Sequence, residues 1–218
     1  MYSRPPFTLK NSLLFWNLSL ALFSMIGCIR FGEDLLESLV NRGVYSTLCQ
    51  SCHPHDVAAF WSLLFAISKI VELGDTLFIV LRKKPLIFLH YYHHVAVLIY
   101  TIHSGAEHTA PGRAFIFMNF LAHSFMYSYY GVSAMGLKMP RWVSMTVTTI
   151  QTVQMLIGVA ISCTVYVMKR LYNIPCQQSI PNLYLAFIIY ITFAILFIQF
   201  FINSYFKRSQ ERKEKKVD

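Results

Sequence analysis

Long apolar runs separated by short polar turns dominate the chain. Six of them reach or approach the ~20 residues that a helix needs to cross a hydrocarbon layer: 9–29, 58–81, 86–102, 114–135, 142–168 and 182–206. Segments such as FAILFIQFFI are apolar at nearly every position, whereas a membrane β-strand alternates apolar and polar residues over about ten positions. The pattern therefore predicts an all-α polytopic membrane protein with six transmembrane helices. The connections are too short to hold a soluble module. The chain divides into a short segment at 1–8, one membrane domain at 9–206 and a basic tail at 207–218.

Composition agrees and adds orientation. The 218 residues are 56% hydrophobic and 13% charged, with mean hydropathy +0.48, against about 25% charged residues in a soluble protein. Cytosolic loops next to spans carry the excess of Lys and Arg. Arg4, Lys10, Arg82, Lys83, Lys84, Lys138, Arg141 and the tail KRSQERKEKK fall on one side of the six-span layout. Only Arg30, Arg42, Arg113, Lys169 and Arg170 fall on the other. Both termini are therefore expected in the cytosol. The net charge of +9 reads as this bias plus attraction to anionic headgroups of the lipid bilayer; without basic and aromatic residues alternating on an exposed face, no nucleic-acid partner is expected.

The first apolar run is a full span without a small-residue cleavage site, so it reads as a retained signal anchor. The tail closes with Lys215-Lys216-Val217-Asp218, which is similar to the dilysine retrieval signal of endoplasmic reticulum membrane proteins and predicts that location. Cys28 and Cys163 fall within spans, as packing residues. Cys49, Cys52 and Cys176 fall in loops on the non-cytosolic side, where a disulfide persists. A Cys49–Cys176 bridge is one reading, and a metal site in CQSCHPH is the other. A structural zinc normally closes with ligands from separated segments, which favours the bridge.

Polar residues at membrane depth are costly unless paired or facing a wet cavity, so each is a functional candidate. In KIVELGDT, Lys69, Glu72 and Asp75 recur every three residues on one helical arc, with Thr76 beside them. A Lys69–Glu72 pair would neutralise itself and leave Asp75 in need of a histidine or a donor from another helix. His90, His93 and His94 share a face of the next span. In NFLAHSFMYSYY, a stripe of Asn119, His123, Met126 and Tyr130 has Tyr127 at its edge. In TTIQTVQ, Thr148 and Gln151 share a face with Gln154 further round. Any one of these sets could be helix-to-helix hydrogen bonding. Four consecutive spans with polar groups on one side instead describe a closed chamber.

Two chemistries compete for it. HYYHH has the spacing of an iron-binding histidine box, but a di-iron membrane oxidase draws on about eight histidines from several boxes, and His53, His55, His103 and His108 fall toward the opposite loops. The alternative needs no metal and no cofactor. A neutral imidazole in a dry site is a competent nucleophile toward a thioester, and neighbouring donors can hold the tetrahedral oxyanion.

The four motifs KIVELGDT, HYYHH, NFLAHSFMYSYY and TTIQTVQ, in this order and spacing, resemble those of the ELO-type very-long-chain fatty acid elongases, the membrane 3-oxoacyl-CoA synthases. LRKKPLIFLHYYHH, with its aromatic pair, is most similar to the branch acting on saturated and monounsaturated chains. The resemblance implies a closed, barrel-like bundle of helices that condenses acyl-CoA with malonyl-CoA to a 3-oxoacyl-CoA, CO2 and CoA. His93 would take the acyl group and His123 would bind or polarise the malonyl group. His90, His94 and Asp75 would orient imidazoles and move protons. Lys69, Glu72, Asn119, Tyr127, Tyr130, Gln151 and Gln154 would line the substrate chamber. Arg82, Lys83, Lys84, Lys138 and Arg141 would meet the CoA phosphates.

The family usually has seven spans, and this chain begins where the second would, so the first family helix is expected to be missing. Other enzymes of the elongation cycle, or other elongases, are the expected protein partners. A catalytically inactive partner of such elongases is the competing reading, and the complete set of motifs argues against it. A carrier would show proline- or glycine-broken spans; here Pro85, Pro111, Pro140, Pro175 and Pro181 sit at span ends.

Overall fold

A computed structural model describes residues 5–52 and 56–207. Among the described residues the fold is all helix: α1 Lys10–Glu37, α2 Gly43–Cys49, α3 Val57–Val71, α4 Gly74–Leu81, α5 Phe88–Ala106, α6 Gly112–Ala134, α7 Arg141–Tyr166 and α8 Ile180–Phe201. Wider π-type turns continue α1, α7 and α8, over Ser38–Arg42, Val167–Leu171 and Ile202–Lys207. The tail beyond Lys207, with Lys215 and Lys216, lies outside the described residues, as do Arg4, His53 and His55.

Local chemistry sets the element ends. Pro111 and Pro140 precede α6 and α7, where a missing N–H costs no helical bond. Ser179 caps α8 by accepting from the backbone N–H of Asn182 at 3.2 Å, with Pro181 in the first turn. The run at 58–81 departs from the sequence expectation of one continuous helix, because it breaks at Glu72–Leu73. There Asp75 N and Thr76 N bond to Glu72 O and Leu73 O, three residues back, at 3.0 and 3.1 Å. Gly74 permits the break to press against α1, since a Cβ on it would lie 2.6 Å from the Trp16 ring. The break lets Lys69 and Glu72 answer to one set of partners and Asp75 to another.

The helices pack in a cyclic order. α1 lies on α6, α6 on α7, α7 on α8, α8 on α5, α5 on α3, and α3 returns to α1. Phe23, Phe31, Trp61 and Phe65 surround the Phe120 ring where α1, α3 and α6 meet. At one end of the bundle a disulfide joins Cys49 to Cys176, 127 residues apart. Backbone bonds from Gln177 N to Cys49 O and from Ala110 N to Gln177 O, each 2.9 Å, tie three connections together there. At the other end Phe7 N bonds to Leu81 O, and Arg141 to the Tyr205 carbonyl.

Large apolar side chains face outward along the bundle, among them Phe15, Leu22 and Ile29 on α1, Phe60 and Leu63 on α3, and Ile188 and Ile195 on α8. Apolar surface on this scale belongs against lipid. Three helical stretches, Lys10–Cys49, Arg141–Leu171 and Ile180–Phe206, are long and apolar enough to cross a membrane, so the protein is a multi-pass membrane protein. The break shortens α3 and α4, and the polar side chains of α5 and α6 dilute their apolar character. Cys28 is half-buried, but Cys163 is exposed, so it faces outward and is not the packing residue expected from its place in a span.

Candidate functional site

Lys69, in the last turn of α3, is 4% exposed. Its ammonium donates to Glu72 Oε1 at 2.7 Å and to Asn119 Oδ1 at 2.8 Å, and rests 4.3 Å from the centre of the Phe65 ring. Glu72 Oε1 also accepts from Ser68 at 3.2 Å and stands 3.5 Å from His123 Nδ1. A buried pair so fully bonded holds α3 to α6. His123 completes it from the face of α6 one turn beyond Asn119.

Asp75 belongs to a second cluster. Trp16 Nε1 on α1 donates to Oδ1 at 2.6 Å, and the Tyr127 hydroxyl on α6 donates to Oδ2 at 2.7 Å. His94 Nε2 lies 4.0 Å from the same Oδ2. The partner sought for Asp75 is thus a pair of donors from two other helices, with a histidine just outside bonding distance. Trp16 was not singled out by its spacing. Its signal was that an indole N–H inside an apolar span needs an acceptor.

The imidazoles of α5 differ from one another. His90 Nε2 is 3.1 Å from Thr76 Oγ1, and its ring lies 4.4 Å from that of His94. His93 makes no hydrogen bond to any described residue. Its ring is bounded by Phe193 at 4.9 Å, His94 at 5.6 Å and Phe197 at 6.3 Å, centre to centre. What remains of it opens onto a cavity of about 1070 Å³ running between α3, α5, α6, α7 and α8. Asn119, Gln154 and the buried Tyr100 reach the same cavity. The His123 ring packs edge-on against Tyr127, 5.4 Å centre to centre.

Other candidates stand apart from this centre. Tyr127 is 1% exposed and Tyr130 is 48% exposed, packed on Tyr129, so their places in the α6 stripe are reversed. Packing along α1 turns Tyr127 inward, against Leu20 and Ala21. Gln151 donates to Met126 Sδ at 3.1 Å. Arg82 ends α4 with Lys83 and Lys84 after it, Lys138 lies in the turn before α7, and Arg141 opens α7. Among the described residues no three His, Cys, Asp or Glu side chains converge in a group able to hold a metal ion.

A family model described as ELO: GNS1/SUR4 family matches residues 1–213. The chain belongs to this ELO family. A Caenorhabditis elegans protein that carries the name fatty acid elongase 4 is 65% identical over 98% of this chain and 74% of its own length. Very long chain fatty acid elongase 6 of Drosophila melanogaster is 42% identical over 94% of this chain and 66% of its own length. Very long chain fatty acid elongase 3 of Homo sapiens is 37% identical over 99% and 79%. Within the ELO chain the charges of α3 and α4 are consumed by internal bonds, while His93 is left to face open space.

Proposed function

We propose that this ELO protein is a fatty acid elongase that condenses acyl-CoA with malonyl-CoA through an acyl-histidine at His93. One observation carries the reading: His93 makes no hydrogen bond to any described residue, and its accessible face opens onto a long cavity. An unengaged imidazole nitrogen attacks the thioester carbonyl, the tetrahedral intermediate collapses with loss of CoA thiolate, and the thiolate takes up the proton released by the ring. His94, between His93 and Asp75, is placed to carry that proton. Malonyl-CoA then loses CO2, the resulting enolate attacks the acyl carbonyl, and the C–N bond breaks; the departing imidazolate takes up one proton from water, which regenerates neutral His93. His123, backed by Glu72, holds or polarises the malonyl carbonyl.

The cyclic helix order supports a six-span, barrel-like bundle around the cavity. In that arrangement Arg82, Lys83, Lys84, Lys138 and Arg141 lie at the cytosolic mouth and meet the CoA phosphates, and both termini are cytosolic. A reductase and a dehydratase of an elongation cycle would take its 3-oxoacyl product. The test uses acyl-CoA alone. Purified protein is expected to release CoA and to carry the acyl mass on the peptide that contains His93. The same adduct, undiminished in His93→Gln, would remove His93 from the role.

A further inference from the structure

Gln151 and Gln154 are neighbouring amides of α7 with different uses. Gln151 donates to Met126 Sδ at 3.1 Å. Gln154 is 7% exposed, makes no hydrogen bond to any described residue, and lines the cavity with Met155, Ile189 and Phe193. A buried amide left unpaired in such a wall is destabilising. The methylene groups of a bound tail do nothing to relieve it, whereas an oxygen of the ligand does.

Packing fixes the depth at which that oxygen lies. α7 and α8 run antiparallel, since Arg141, which opens α7, bonds to the Tyr205 carbonyl beyond the end of α8. Gly158 of α7 lies against Tyr190 of α8, where a Cβ would come within 2.3 Å of the ring. Gln154 is four residues before Gly158 and Phe193 is three after Tyr190, so both are displaced by about one turn, ~5 Å, in the same direction. The Phe193 ring is 4.9 Å from that of His93, and the Tyr92 hydroxyl beside it is 3.0 Å from Thr192 Oγ1. Gln154 is therefore level with His93. The register with α6 agrees. Three residues forward on α7 from the Gln151–Met126 contact, and three back on the antiparallel α6, pair Gln154 with His123.

In the elongase reading the substrate atom at this depth is the thioester carbonyl oxygen. As a His93 ring nitrogen forms its bond to the carbonyl carbon, the C=O π pair moves onto that oxygen; as the C–S bond breaks, the pair returns. Between the two events the oxygen carries a negative charge and only accepts hydrogen bonds. The Gln154 amide supplies N–H donors and exchanges no proton, and in a water-poor cavity such a donor favours the charged intermediate over the neutral thioester. We infer that Gln154 is a catalytic residue, whose Nε2–H donates to the oxyanion formed on the acyl carbon at His93. The inference rests on the elongase reading and adds an oxyanion donor to it. Asn119 also reaches the cavity, but its Oδ1 accepts from Lys69, so substitution there would disturb the α3–α6 frame as well as the chemistry.

The test is the half-reaction of the purified full chain with palmitoyl-CoA alone, read as single-turnover release of CoA, beside the Kd for hexadecyl-CoA, a thioether without a carbonyl. Gln154→Met preserves the side-chain bulk and removes the donor. Release at saturating palmitoyl-CoA should fall by about 100- to 1,000-fold, the usual effect of losing one oxyanion donor. The Kd for hexadecyl-CoA and the thermal unfolding should stay those of the parent, because Gln154 gives up no internal bond. Release at the parent rate, a loss of hexadecyl-CoA affinity equal to the loss of rate, or a defect confined to the later malonyl-CoA step overturns the inference and leaves the elongase reading standing. Absence of an acyl adduct on His93 in the parent protein overturns both.

Discussion

The carboxylates of α3–α4 and the histidine box of α5 are neighbours with opposite fates. Lys69, Glu72 and Asp75 spend their hydrogen bonds on Asn119, Ser68, Trp16 and Tyr127, from α6, α3 and α1. His93, on the facing helix, has aromatic rings for neighbours and a cavity before it. A side chain locked by several charged bonds costs much to disturb and is poorly placed to act as a nucleophile. An imidazole held by ring packing alone keeps its lone pair available. The motifs that look alike on a helical wheel therefore divide into a frame and a working group.

Substitution at each pole is the strongest way to break this contrast. Lys69→Met strands a buried carboxylate and should cost about 3–5 kcal/mol of stability, the usual penalty for removing one partner of a buried pair. His93→Gln should shift unfolding by about 1 kcal/mol or less while lowering turnover on the order of a thousandfold or more. Thermal unfolding in detergent alongside malonyl-CoA incorporation separates the two. If Lys69→Met unfolds like the parent, the frame assignment is wrong.

Trp16→Phe sharpens the picture, because it removes one donor to Asp75 and leaves the aromatic packing against Phe78. A hydrogen bond to a charged group contributes about 1.5–3 kcal/mol, so unfolding should shift by up to that amount, with turnover falling through the His94 beside Asp75. Restoring stability by a second substitution without restoring turnover would show positioning beyond scaffolding. The smallest effect is expected at Gly158. A Cβ there would lie 2.3 Å from the Tyr190 ring, and Tyr190 lines the cavity. Gly158→Ala should push the ring into the cavity and shorten the accepted acyl chain with little change for short substrates, which a chain-length panel measures.

Hydrophobic runs and polar spacing placed the helices, the Lys69–Glu72 pair and the histidine face within a few residues, because i, i+3 and i+4 relations are fixed by the helix itself. The break at Glu72–Leu73 was hidden, since VELGDT continues an apolar run and its turn becomes worthwhile only when Trp16 packs on Gly74. The inward turn of Tyr127 in place of Tyr130 likewise depends on where α1 presses on α6.

The sequence by itself determined that the chain is helical and membrane-embedded, that it carries ionisable groups at depth, and that it belongs to the ELO family. These follow from composition and from contacts one helical turn apart. Only the tertiary structure decided that Trp16 and Tyr127 serve Asp75, that Cys49 pairs with Cys176, and that His93 opens onto the cavity while Glu72 does not. Each of those depends on which faces of distant helices meet, and side-chain spacing along one helix carries no information about its partner.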